Sequence, residues 1–124
     1  MGKIDKEERQ KVYEMFDGHC AYCGKKIAYK DMQVDHVKPI WRGHAENYLN
    51  KGTDDISNYM PACRSCNFRK GTFSVEQFRN EIRMQAKHIV ERTFQVRQSI
   101  DYGLISYADK PIVFYFERHK KKEK

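Results

Sequence analysis

Four cysteines stand in two C-x-x-C pairs, Cys20-Ala-Tyr-Cys23 and Cys63-Arg-Ser-Cys66. Each pair can set two thiolates on one ion, and two pairs complete a tetrahedral, all-cysteine zinc site. Residues 24–62 separate the pairs, more than a compact zinc ribbon uses. The ion would therefore tie distant segments together rather than fold a small finger. Four sulfur ligands leave no open coordination position, so the expected Zn2+ is structural. Two disulfides, or a thioredoxin-like redox pair, are the competing readings. Neither a secretory leader nor a βαβ pattern accompanies the cysteines to support them.

Between the pairs, the run MQVDHVKPI sets Asp35 beside His36 in a mostly apolar, strand-like stretch. Neighbours in a strand point to opposite faces, so the two side chains cannot share one role on one face. The zinc would draw this run close to ISNYMPACRSCNFRKG. The order C-x-x-C, D-H-x-x-P, N, C-x-x-C-N-x-x-K-G, from Cys20 to Gly71, resembles the HNH endonuclease family. Asp-His alone would mean nothing; the combination is specific.

The resemblance implies a ββα-metal fold, treble-clef-like, around one catalytic divalent cation. It implies Asp35 and Asn67 as ligands of that cation, and His36 and Asn58 as the catalytic residues. His36 would be the general base. Asn58 would hold the hairpin loop and orient the His. Asn67 makes this an H-N-N variant, and its carbonyl oxygen is a hard ligand that suits Mg2+ or Mn2+ better than zinc. The implied activity is hydrolysis of DNA phosphodiester bonds. That chemistry needs an activated water on one side of phosphorus and charge stabilisation of the leaving oxygen on the other. An imidazole with an ordinary pKa of about 6.5 can take the proton near neutral pH. Asp35 and His36 would flank the scissile group from a strand distorted enough for both to reach it.

The elements that must position these residues are legible in outline. In DKEERQKVYEMF, Val12, Met15 and Phe16 share a helical face behind an Asp5 N-cap, and Gly18 ends the helix. HCAYCGKKI reads as a metal knuckle, MQVDHVKPI as a strand, residues 41–57 as a polar loop and NYMPA as a short returning strand. Ser74 with Gln77 forms a capping box, and Val75, Phe78, Ile82, Ala86 and Ile89 recur at helical spacing. No Gly or Pro interrupts residues 72–102, so a long helix with at most one break is expected. KPIVFYFER alternates and reads as a terminal strand, followed by a basic tail. The predicted fold is α+β: one domain over 1–124, with its core at 20–71, an extension at 72–117 and a tail at 118–124.

Composition bounds the rest. Of 124 residues only 40% are hydrophobic, so the core is thin and a metal staple is in character. The net charge of +7 favours a polyanion, and double-stranded DNA is the expected partner. Arg64, Arg69 and Lys70 flank the second knuckle, and Arg42 follows the strand with Trp41. Arg79, Arg83 and Lys87, four residues apart, form a basic helical stripe that could track a DNA backbone or simply face solvent. His19, His44, His88 and His119 match no motif position. The start MGKIDKEERQ has no apolar leader and no apolar run is long enough to span a bilayer. An intracellular, bacterial or phage setting without a membrane is therefore expected. One active site cuts one strand at a time, so a double-strand break calls for a homodimer or two events.

Two rival readings compete with this one. His44-Ala-Glu46 with Pro61-Ala-Cys63-x-x-Cys66 resembles the zinc deaminase signature, but an alanine intrudes and Cys20 and Cys23 go unexplained. A non-catalytic zinc module that only binds nucleic acid explains the charge and the cysteines. It does not explain Asp35, His36, Asn58 and Asn67 together.

Overall fold

A computed structural model describes residues 4–40 and 52–122. The chain divides into two compact units, residues 1–75 with 113–124, and residues 76–112.

The first unit begins with α1, Lys6–Glu14, capped by the Asp5 carboxylate, which accepts from the Glu8 amide at 2.8 Å. Val12, Met15 and Phe16 are buried, as their spacing requires. The chain then enters the Cys20–Cys23 knuckle and a short 3-10 turn, Tyr29–Asp31. Strand β1, Gln33–His36, pairs antiparallel with β2, Tyr59–Ala62. The register is regular: Val34 faces Pro61, Asp35 faces Met60 and His36 faces Tyr59. The expected distortion of this strand is absent, because four consecutive pairs keep the alternation of the pleat. Of the polar loop, residues 41–51 lie outside the described residues, and Ile56–Asn58 close a 3-10 turn into β2.

Helix α2, Arg64–Lys70, follows β2 directly, with Cys63 as its N-cap. Gly71 ends it at φ 51°, a left-handed conformation that suits glycine. Strand, strand and α2 thus supply the expected ββα core.

The second unit holds most of α3, Val75–Arg92, and α4, Phe94–Asp101, with the break at Thr93. The long helix with one interruption is what the uninterrupted run predicts. Its apolar stripe is buried unevenly: Phe78 is 1% exposed and Ile89 50%. Among the described residues, no helix is long and apolar enough to cross a membrane.

The terminal strand does not form. Residues 110–114 join no sheet among the described residues; Phe114 is extended, as the N-cap of α5, Tyr115–Arg118. The aromatic alternation has another cause. Phe114 and Phe116 meet the Tyr22 ring edge-on at 5.2 and 5.8 Å, while Tyr115 stacks between His19 and His119. The backbone amides of Tyr115 and Phe116 donate to the knuckle carbonyls of Tyr22 and Ala21. The segment buttresses the knuckle rather than extending the sheet.

Candidate active site

The two cysteine pairs converge. All four sulfurs lie within 4.8 Å of one another, and Cys23 Sγ stands 3.8 Å from Cys63 Sγ. A tetrahedron with metal–sulfur bonds of about 2.3 Å has edges of about 3.8 Å, so the donor set fits zinc. The amides of Tyr22 and Cys66 donate to Cys20 Sγ and Cys63 Sγ, each at 3.4 Å. A hydrogen bond from Cys66 holds the Cys20 thiol down, to about 4, against the opposing effect of burial. The same bond, with burial, pushes Cys66 up. Such a crowd of sulfurs shares protons until a cation ionises it.

Asp35 and His36 point to opposite faces of β1. Asp35 is 3% exposed, inside the unit. Its Oδ2 accepts from the Tyr22 hydroxyl at 2.5 Å, and its Oδ1 lies 3.3 Å from Lys70 Nζ. Lys70 is wholly buried and also donates to the His36 carbonyl at 2.9 Å. Burial raises the Asp35 pKa and lowers that of Lys70, and each charge opposes the shift of the other. Lys70 is therefore not the open surface cation its charge suggests: its ammonium is engaged under β1 by the Asp35 carboxylate and the His36 carbonyl.

His36 faces the partly exposed side. Its Nε2 lies 2.9 Å from Asp54 Oδ1, and its ring meets Tyr59, its cross-strand partner, edge-on at 5.3 Å. The Tyr59 hydroxyl donates to the same Asp54 oxygen at 2.9 Å. Hydrogen bonds from His36, then Tyr59, hold the Asp54 carboxyl below the usual carboxylate range. Burial, then the bond to Asp54, pushes the Tyr59 phenol up to about 12.

Asn58 is buried and bridges two segments. Its Oδ1 accepts from the Lys38 amide at 2.9 Å, and its Nδ2 donates to the carbonyls of Lys38 and Thr53, both at 2.8 Å. Gly52 passes so close that a Cβ would overlap the Lys38 carbonyl and come within 2.6 Å of Asn58 Nδ2. Asn67 is half-buried on α2, and no hydrogen bond among the described residues joins it to Asp35.

Of the basic residues, Arg64 is exposed and Arg69 half-buried. Arg79 bonds Glu76 and the Ile112 carbonyl, and Arg83 grips Asp109 through two nitrogens, at 2.7 and 3.1 Å. Lys87 is half-buried. Arg42 and Trp41 lie outside the described residues.

Sequence reasoning missed Asp54, Tyr59 and Tyr22, and misplaced Lys70. Only the pairing of His36 with Tyr59 could have signalled the first two, because cross-strand partners interact.

The chain is similar to known proteins over part of its length. A family model described as HNH endonuclease matches residues 20–73. YoqL, a SPbeta prophage-derived protein of Bacillus subtilis (strain 168) named as a putative HNH endonuclease, is 40% identical over 78 residues. That match covers 57% of this chain, and the chain spans 31% of the relative's length. A crystal structure of the Type II-C Cas9 enzyme from Actinomyces naeslundii superposes with a TM-score of 0.52 at 23% identity, covering 65% of this chain and 9% of that one, a likeness of fold alone.

Proposed function

We propose that the chain, whose residues 20–73 match a family model described as HNH endonuclease, hydrolyses DNA phosphodiester bonds with His36 as general base. The observation that carries this is the setting of His36. It is half-buried at the end of β1, one ring nitrogen is engaged by Asp54, and the other has no hydrogen-bond partner among the described residues. That free nitrogen can take a proton from an attacking water.

A divalent cation, Mg2+ or Mn2+, when bound, would supply positive charge to the scissile phosphate and the leaving oxygen. Asp35 and Asn67 are the residues that would hold it. A carboxylate offers about four lone-pair positions, and Tyr22 and Lys70 leave acceptor capacity on Asp35. The cation would share that carboxylate with Lys70. Asn58 pins Lys38 to Thr53 and so ties the segment after His36 to the one that carries Asp54. The four cysteines hold a structural Zn2+, in keeping with their separation. Arg64, Arg69, Arg79, Arg83 and Lys87 contact phosphates; the exposure of Arg64 and the part-exposure of Arg83 support this.

The proposed substrate is DNA, double-stranded, and the proposed setting a bacterial or phage-infected cell, which the prophage origin of the relative supports. A homodimer would let two sites cut both strands. Incubation with supercoiled plasmid tests the proposal. Relaxed circles should appear with Mg2+ or Mn2+, and none once EDTA removes the cation. Asp35→Ala should lose this activity while keeping its zinc. Intact plasmid with every divalent cation tried, from zinc-loaded folded protein, would refute the proposal.

A further inference from the structure

We propose that Asp54 is a positioning residue that fixes His36 in the tautomer bearing its proton on Nε2, leaving Nδ1 as the atom that accepts the proton from water. This rests on the reading of His36 as general base.

Four observations support it. Asp54 Oδ1 is 2.9 Å from His36 Nε2, and an ionised carboxylate only accepts, so Nε2 must carry the hydrogen. A neutral imidazole has one N–H, so Nδ1 then presents its lone pair. The Tyr59 hydroxyl donates to the same Asp54 oxygen at 2.9 Å, and the Tyr59 ring packs edge-on against His36. Carboxylate, phenol and imidazole thus brace one another across a β-pair. Finally, Asn58 Nδ2 holds the carbonyl of Thr53, the residue before Asp54, at 2.8 Å. The side-chain hydrogen bonds of Asn58 go to Lys38 and Thr53, so what it contributes to the base passes through the backbone that carries Asp54.

The logic is that of a carboxylate orienting a catalytic imidazole. During attack, the water O–H breaks, its proton goes to Nδ1, and the oxygen bonds phosphorus as the leaving oxygen departs. The ring becomes a cation next to the Asp54 carboxylate, which stabilises it without taking its proton.

The test has a spectroscopic arm and a kinetic arm. Long-range proton–nitrogen spectra of the zinc-loaded protein, at a pH where His36 is neutral, should show Nε2–H. A dominant Nδ1–H form in the unaltered protein would overturn the proposal with no variant needed. Asp54→Asn can donate to the ring and should shift His36 toward the other tautomer. Its single-turnover cleavage should fall at least about tenfold, less than the roughly 10²–10⁴-fold expected for losing the base itself. DNA affinity should be unchanged, and Asp54→Glu should recover part of the rate. If His36→Ala is slow but Asp54→Asn matches wild type, the positioning role fails and the general base stands. If His36→Ala itself cleaves at the wild-type rate, both fail. A slow Asp54→Asn with an unshifted tautomer also refutes the proposal.

Discussion

Asp35 and Lys70 bury opposite charges 3.3 Å apart beneath β1, with the Tyr22 hydroxyl and the His36 carbonyl completing their hydrogen bonds. Removing one member of such a pair strands the other in a medium that solvates it poorly. Lys70→Met should therefore lower unfolding free energy by about 3–5 kcal/mol, measured by urea denaturation with zinc present. The double variant with Asp35→Asn should recover much of that loss, since no charge is left unpaired. A loss under about 1 kcal/mol for Lys70→Met would contradict the buried pair. Sequence reading reaches its limit at this pair. Asp35 and His36 are visible because they are adjacent and sit in a motif. Lys70 is visible too, but its charge alone says polyanion. Its true partner lies far away in the chain, and only the closing of β1 onto α2 brings them together. Asp54 is hidden for the same reason, inside a run of polar loop residues that carries no period.

The elements are short, and the staple between them matters accordingly. A two-stranded sheet of four-residue strands is marginal in water without support. The cysteine cluster ties the knuckle to the junction of β2 and α2, and the Tyr115 and Phe116 amides lock the knuckle from the other side. Stripping the metal with a strong chelator should cost the first unit its fold, seen as loss of near-ultraviolet circular dichroism. Thiols must lose protons to bind zinc, so lowering the pH opposes binding. Apparent zinc affinity should therefore be weaker at a mildly acidic pH than at a mildly alkaline one. Equal affinity at both, or an intact fold without metal, would contradict the staple. Hairpin, knuckles and α3 are legible because caps, turns and periodicity are local signals. The end of the chain is not. Alternating Phe114, Tyr115 and Phe116 satisfy a strand pattern, yet they pack on Tyr22, His19 and His119, and no strand edge receives them.

At the scale of the whole molecule, a net charge of +7 draws the chain toward nucleic acid but carries no chemistry. On the proposed reading, what separates a nuclease from a basic zinc module is His36, half-buried, with one ring nitrogen engaged by Asp54 and the other without a hydrogen-bond partner among the described residues. Phosphate affinity comes from arginine and lysine, not from a neutral ring. Loss of His36 should thus leave binding in place and remove only the rate. The most direct measurement is single-turnover plasmid cleavage by His36→Ala beside the unaltered protein, with the divalent cation titrated in both. The predicted result is cleavage at least about a hundredfold slower with DNA and cation binding nearly unchanged; cleavage at the wild-type rate, or a loss traced to failed cation binding, would contradict His36 as the general base.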